Sequence, residues 1–553
     1  MSSRSAYTGT QRKLVLAFDV GTTFSGISYS ILEPGQVPEI KSVTRFPAHE
    51  QISGASKIPT IIYYDRSGNV KAVGADAMVE GIYEQAVDEQ WVKAEWFKLH
   101  LRSWIGPGIE KEVKAKIPPL PLNKTVVAVI SDFLAYLFKC AASYIQDAEP
   151  DTASLFANDQ IDFVLCHPNV CGDIQQSQMR EAAVLAGLIP YNASRHLRLS
   201  FVKEGEASLH FAIQHGLQFE KGEGVAIVDA GGGTIDISSY SENISLQKQG
   251  FEEMAIPQCH FQGSGLVTIY AQRFLSNYLA DSPFIGDVDH IAQCFDKTTK
   301  LTFKNTDIPQ YIKFGPRSTR DKDVVHNIRF GQIKLFGADI AQFFEPSVIS
   351  IVNAILDQKR SARKPVSHVV LVGGFACSDY LLSQIQDELR TFDVNIHRPD
   401  AHIDKAVSDG AISFYLDHIM RTRISKVTYG TFRAIPYDPC NSDHLHRRME
   451  AYVSPSGIML IDGFFSIILP KNTQISETQE FRREYSTDYD SSINLETHRL
   501  EEKVICYQGN IEDPKWKEIE TSEELCNIMH YQGQACKITG AEVTEVGWIG
   551  DIL

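Results

Sequence analysis

Leu14-Val-Leu-Ala-Phe-Asp19-Val-Gly21-Thr22-Thr23-Phe-Ser25-Gly26 decides how this chain reads, because its pattern returns as Val225-Ala-Ile-Val-Asp229-Ala-Gly231-Gly232-Gly233-Thr234-Ile-Asp236. Placing Asp19 on Asp229 places Gly21 on Gly231. In each copy an apolar run ends in Asp, a glycine turn follows, and an apolar or alternating run resumes (Ile27-Ser-Tyr-Ser-Ile31; Ile235-Asp-Ile-Ser-Ser-Tyr240). That is strand, turn, strand, and not the strand, loop, helix order of a P-loop or dinucleotide site. Glycine has no Cβ, so a bare turn brings amide N–H groups against phosphate oxygens. Two such hairpins from matching halves, each with a carboxylate, point to a nucleoside triphosphate and its metal ion gripped from both sides.

A chain of 553 residues has room for three or four domain-sized units. Its 43% hydrophobic and 22% charged content is that of a globular protein. With 53 basic and 69 acidic residues the net charge is −16, which argues against nonspecific nucleic-acid binding. A triphosphate is an anion too, so its site needs local lysines and backbone donors. The ten cysteines are scattered and form no C-x-x-C pair, which reads as reduced thiols, no zinc site and a cytoplasmic setting. Cys166-His167 with Cys171 reads as buried packing. Residues 1–12 are polar, an expected disordered tail with no signal-peptide core. Val126 to Ile145 is the most apolar long stretch, but Asp132 and Lys139 sit in it at helical spacing. It predicts an amphipathic core helix and no membrane span.

The first half, 13–215, predicts a strand pair near 57–73 around Asp65-Arg-Ser-Gly68. A mostly helical 76–105 follows, with Trp91, Trp96, Phe97 and Trp104 clustered, then a helix over 123–146. A strand from Ile161 ends at Pro168, and a helix spans Gln175 to Leu188. The second half, 216–420, has Gly263-Ser-Gly265 opening a helix to Leu279 and a helical Asp287 to Lys304. A short apolar strand then runs into Gly373-Gly374, with helices from Tyr380 to Leu389 and Asp404 to Met420. The N–H groups exposed after that Gly-Gly turn suit a phosphate or ribose oxygen. Beyond 425, short alternating stretches are separated by turn residues (Pro436, Pro455-Ser-Gly457, Pro470-Lys-Asn472). They predict a β-sandwich-like C-terminal domain over 426–553. His444-Leu-His446 reads as a polar loop, metal binding being the alternative.

Ordered as Asp19-x-Gly-Thr-Thr, Asp229-x-Gly-Gly-Gly-Thr and Val372-Gly-Gly-Phe375, the motifs are far more specific than any one alone. The sequence resembles the actin, sugar-kinase and heat-shock-chaperone ATPase superfamily. Within it, Phe18 to Ser25 and Val228 to Asp236 are similar to the seventy-kilodalton heat-shock chaperones. Gly373-Gly-Phe-Ala376 and the reduced C-terminus resemble the divergent branch typified by heat shock protein family A member twelve. The resemblance covers 13–420 strongly and 425–500 weakly. It implies an α/β, two-lobed actin-like ATPase fold of duplicated ribonuclease-H-like halves, plus a small C-terminal β-rich domain.

Site roles follow from that resemblance. Asp19 and Asp229 hold hydrated Mg²⁺ from opposite lobes, since two facing carboxylates make sense only around a divalent ion. Gly21, Thr22 and Thr23 contact the β- and γ-phosphates of ATP, opposed by Gly231, Gly232, Gly233 and Thr234. Lys98, with Lys93 as rival, stabilises the transferring phosphoryl group. Ser200-Phe-Val-Lys-Glu204-Gly-Glu206 resembles the family's Glu-Pro-Thr-Ala-Ala stretch and puts Glu204 near the metal waters. Gly205 replaces the usual Pro and loosens that turn, which leaves Glu206 open as the functional carboxylate. Asp236 accepts from the attacking water or orients a neighbour.

At the adenosine end, Gly373 and Gly374 let ring and ribose approach the backbone, with Asp296 and Lys300 beside the base. Thr299 stands where a Lys is usual and Cys377 where an Arg is usual, implying weaker ATP or ADP binding. Pro168 matches the family's relay proline, but the expected arginine after it aligns with Gln176. Met420-Arg-Thr-Arg-Ile-Ser-Lys426 replaces the acidic, Leu-rich interdomain linker. Ile468 to Ile475 is similar to a turn of the peptide-binding sandwich. Three functions remain open at this point: a chaperone-like ATPase binding unfolded polypeptide, a nucleotide-dependent scaffold or signalling protein, and a small-molecule kinase.

Overall fold

The computed structural model describes residues 4–48, 57–101, 117–157, 160–169, 173–190, 198–217, 222–243, 250–317, 321–400, 403–476, 481, 499–507, 509, 511, 513–516 and 525–534. Of 499–503 and 525–534 it gives the backbone alone. Trp104, Cys171 and 535–553, all invoked above, lie outside these residues. The chain divides into two compact units, Met1–Glu242 with Pro257–Ile419 and Asn243–Ile256 with Met420–Leu553.

In the first unit, the apolar run before Asp19 becomes β1 (Lys13–Asp19), buried from Leu14 onward as a strand covered on both faces must be. β2 (Phe24–Leu32) folds back antiparallel, with Asp19 opposite Gly26. β3 (Ile161–His167) lies parallel to β1 and stops before Pro168, which has no N–H for a ladder. β4 (Leu199–Lys203) lies parallel on β3. A second sheet repeats the arrangement. β5 (Gly224–Ala230) and β6 (Ile235–Glu242) pair antiparallel with Asp229 opposite Asp236, β7 (Val366–Val372) runs parallel to β5, and Asn395–His397 runs parallel to β7. The sequence repeat is thus a repeat of strand order and direction.

Helices cover these sheets. α1 (Val126–Ala148) starts where Thr125 accepts a hydrogen bond from the Ala128 N–H at 3.1 Å, an N-cap. It buries Ile130, Phe133, Leu137 and Ile145 against Leu16, Phe18, Phe163 and Leu165. Each large apolar side chain so buried contributes about 1.5–3 kcal/mol. α1 and Gly337–Ser361 are both long and apolar enough to cross a membrane, and half of each apolar stretch is buried inside the fold. α2 (Glu204–Gln214) follows β4, yet among the strands it packs more against β5 and β6 than against β4 or β3. α3 (Ser264–Tyr278) opens at the Gly263 turn. α4 (Ala406–Asp417) follows the second sheet in sequence but packs against β1, β2 and β3. The two exchanged helices meet at a glycine: a Cβ on Gly410 would lie 1.8 Å from the Ala207 carbonyl oxygen.

Three expectations change. Among the described residues of 76–105 the only α-helix is the short Ile82–Asp88; Val92–Glu95 is a strand paired with Ile61–Tyr64. Tertiary pairing overrides the local pattern there, with Trp91 packed on Tyr63. The polar N-terminus is tied down from residue 4, where Arg4 pairs with Asp417 at 2.8 Å and Tyr7 N–H donates to the Gln36 carbonyl. The basic segment from Met420, expected to stand in place of an interdomain linker, is a strand over Met420–Ile424.

In the second unit, Met420–Ile424 is a strand between Phe251–Glu253, to which it is parallel, and Gln474–Ser476, to which it is antiparallel. Glu253 accepts from the Ile424 N–H at 2.9 Å. A five-stranded antiparallel sheet accompanies it, in the order Tyr452–Val453, Met459–Leu469, Thr428–Pro436, Arg499–Tyr507, Leu525–Gln534. Phe432, Phe465, Ile467, Ile505 and Tyr507 pack its core. The Pro470 turn carries Asn472 at φ 65°, a conformation Asn tolerates. His444 is no metal ligand through Nδ1: it is buried in the helix Ser442–His446, and that nitrogen accepts from the Asp438 N–H at 3.0 Å.

Candidate functional site

The two hairpin tips face each other. A Cβ on Gly232 would lie 2.0 Å from Thr23 Oγ1, and one on Gly233 would lie 2.5 Å from Thr22 Oγ1. Gly21 is excluded from being larger by its own turn, where a Cβ would meet the Phe24 carbonyl oxygen at 2.1 Å. Its N–H donates to Ser25 Oγ at 3.2 Å, and the Gly231 N–H donates to the Thr234 carbonyl at 2.9 Å. The start of α3 grips the second tip: N–H groups of Gly263, Ser264 and Gly265 donate to the carbonyls of Gly233, Gly231 and Gly232. In a trans peptide C=O and N–H point oppositely, so the N–H groups of Gly232, Gly233 and Thr234 turn away from α3. That leaves three amides in a row for an anion.

Carboxylates and ammonium groups converge below these tips. Asp19, Glu204, Asp229 and Asp236 are all buried, as is Lys98. Lys98, in the single turn Phe97–Leu101, donates to Glu204 at the start of α2. Its rival Lys93 sits on a strand and pairs with Glu95 at 2.7 Å. Ser208 donates to Asp229 Oδ2 at 3.3 Å. Burial pushes the Asp229 carboxyl up to about 7, Asp19 and Asp236 adding repulsion that Lys57 and Lys98 only partly offset. Burial likewise pushes Glu204 up to about 8 against the pull of Lys98. Asp236 is also raised by burial, though the Asn169 N–H on it works the other way.

Such repulsion is what a divalent cation relieves. Among the described residues no three His, Cys, Asp or Glu side chains converge as a metal cage. Mg²⁺ keeps several waters and takes one or two carboxylates together with substrate phosphates. Asp19 and Asp229 fit it.

Two residues that sequence reasoning missed complete the site. Lys57 donates to Asp19 Oδ2 at 3.0 Å. Burial works against its charge, yet Asp19, with Asp229 and Asp404 behind it, holds its pKa above the ordinary lysine value. Asn169 links both sheets: its N–H donates to Asp236 Oδ1 at 2.7 Å, its amide donates to Ser238 Oγ at 2.9 Å, and its Oδ1 accepts from the Gly205 N–H at 3.3 Å. Gly205 therefore does not loosen its turn. It lies buried in the first turn of α2, where a Cβ would meet Ser238 Oγ at 2.5 Å. Glu206 is fully buried in the same turn. Beside Asn169, Gln176 contacts His167 Nε2 at 3.2 Å.

The third glycine motif meets the first two. Gly373 has φ 92°, and a Cβ there would strike Asp229 Oδ1 at 2.3 Å; Gly374 faces open space. Lys300 is buried, donating to the Ser264 carbonyl at 3.2 Å, Thr268 Oγ1 at 3.3 Å and Asp296. Ser264 in turn holds Gly231, so this pair braces the second hairpin. Thr299 is buried beside Lys300. Cys377 is exposed, but Arg398 reaches its turn from elsewhere, donating to the Ala376 carbonyl at 3.2 Å and pairing with Asp379 at 2.8 Å.

A mixed α/β fold of several sheets, with paired glycine hairpins over buried carboxylates, defines the class, and the chain's relatives place it there. No protein-family model matches the sequence. It is 22% identical over 530 residues to heat shock 70 kDa protein 12A of Mus musculus, covering 81% of this chain and 75% of that protein. The Homo sapiens protein of the same name is 22% identical over 536 residues, with the same coverage. A chaperone protein HscA homolog of Vibrio parahaemolyticus is 23% identical over 382 residues, 66% of this chain and 52% of that protein. Relatives of this kind imply an actin-like ATPase fold. The chain is thus similar to heat-shock-70 proteins, at a level of identity that marks it as divergent from them.

Proposed function

We propose that this chain binds ATP with Mg²⁺ between its two glycine hairpins, hydrolyses it, and couples nucleotide state to polypeptide binding. The carrying observation is the meeting of Thr22 and Thr23 with Gly232 and Gly233 directly over Asp19, Asp229 and Asp236. Asp19 and Asp229 would hold the Mg²⁺, which when bound neutralises phosphate charge and orients the leaving group. Lys98, kept from solvent and fixed by Glu204, supplies positive charge where charge develops on the transferring group. Asp236, held by the Asn169 N–H, orients the attacking water. The glycine turns offer backbone amides at the phosphates, and Gly374 leaves an open face for the ribose and base.

In this reading the two repeated sheets are the lobes of an ATPase, and 426–553 is a truncated peptide-binding module in a cytoplasmic protein. Unfolded polypeptide then raises ATP turnover in the purified protein; a flat response across a broad peptide panel rejects the coupling. Asp19→Asn and Asp229→Asn each abolish hydrolysis with circular dichroism unchanged, and undiminished turnover in both rejects the metal assignment. A second reading, a nucleotide-dependent scaffold with little client cycling, draws on one observation: Met420–Ile424 is built into a sheet and is not a free strap. It predicts nucleotide-dependent partner capture with little turnover. A small-molecule kinase remains the least supported reading; phosphorylation of a sugar or polyol would establish it.

A further inference from the structure

The two repeated aspartates are equivalent in sequence but not in their surroundings. Asp19 has an ammonium on it; among the described residues Asp229 has the Ser208 hydroxyl at 3.3 Å and no ammonium in contact. Lys57 immediately precedes the short strand Ile58–Pro59, which pairs on Phe24 and Ser25 at the start of β2, next to the tip of the first hairpin. Its stem crosses bare Gly26, where a Cβ would stand 3.6 Å from Lys57 Cε. The side chain is 15% exposed, so the ammonium is largely withdrawn from water while retaining an opening. An ammonium has three N–H donors. Among the described residues Asp19 is the one acceptor on Lys57, which leaves two donors for a ligand.

Charge counting gives the consequence. Of the carboxylates named above below the hairpin tips, Glu204 is matched by Lys98, Asp19 by Lys57, and Asp236 is held by a backbone N–H. Asp229 is the carboxylate left for a mobile cation. Resting on the ATP reading above, we propose that Lys57 is a tethered cation of the nucleotide site: it claims Asp19 and donates to the triphosphate, so nucleotide binding persists when the divalent ion is removed. Asp229 is then the dominant metal ligand. The repeat is symmetric in pattern and asymmetric in use.

The test measures ATP affinity by calorimetry, with thermal unfolding as a second readout, in excess Mg²⁺ and in EDTA, for the full chain and for Lys57→Met and Lys57→Arg. A hydrogen bond to a charged group is worth about 1.5–3 kcal/mol, about ten- to a hundredfold in affinity. In EDTA the full chain keeps measurable ATP binding and a raised unfolding temperature. Lys57→Met loses about ten- to a hundredfold there, but much less in Mg²⁺, and Lys57→Arg restores most of the loss. Equal losses for Lys57→Met in both conditions overturn the proposal, as does a full chain that binds in Mg²⁺ and not in EDTA. Both outcomes leave the ATPase reading standing. Absence of binding by the full chain even with Mg²⁺ overturns the ATPase reading, and the proposal with it.

Discussion

Asp229 carries the sharpest prediction at the scale of single residues. Its pKa is raised from the usual carboxylate range to about 7, so between about pH 4 and 7 the folded chain holds a proton that the unfolded chain has released. Its contribution to stability is therefore full at low pH and falls as pH rises through about 7. Glu204, raised to about 8, acts in the same direction. Asn cannot ionise, so Asp229→Asn without nucleotide or metal gains stability over the parent chain as pH goes from about 5 to 8. Urea unfolding at four pH values checks this; a constant gap between the two proteins contradicts it. The repeat made Asp19, Asp229 and the glycines legible, because each motif is local in sequence. Lys57 and Asn169 were not, since the former reaches its carboxylate across 38 residues and the latter across 67. Neither stands in a pattern that distinguishes it from any other polar residue beside a strand.

Elements were readable where burial repeats with a clean period. β1, β5, β7 and α1 came directly from their apolar runs, and the Gly263 turn did open α3. The failure over the described part of 76–105 has the opposite origin, since Trp91 and Trp96, spaced like a helix face, flank the strand Val92–Glu95, and Phe97 opens the single turn Phe97–Leu101. What no single element reveals is the exchange of α2 and α4, because α2 packs on the strands that follow it and α4 on strands remote in sequence. At their crossing Gly410→Ala would drive a methyl into the Ala207 carbonyl. Overpacking of this kind costs about 1–3 kcal/mol or more, read as a lower urea midpoint at unchanged slope. A midpoint equal to that of the parent chain would mean the helices move apart freely.

For the whole molecule, the exchange makes the two sheets of the first unit interdependent. Val15, Ala17, Val164 and Cys166 of the first sheet share a core with Val407, Ala411 and Ile412 of α4. Residues 13–215 expressed alone lack that cover and expose the core, so the fragment is insoluble or molten, and adding 216–420 in trans recovers cooperative unfolding. A soluble, sharply melting 13–215 fragment would show the opposite. The three-way junction of Asn169, Gly205 and Ser238 extends this dependence into the core between the sheets. A side chain on Gly205 needs the space that Asn169 and Ser238 fill, so none of the three positions can drift alone. A side chain placed at 205 is therefore accommodated only together with a smaller residue at 169 or 238.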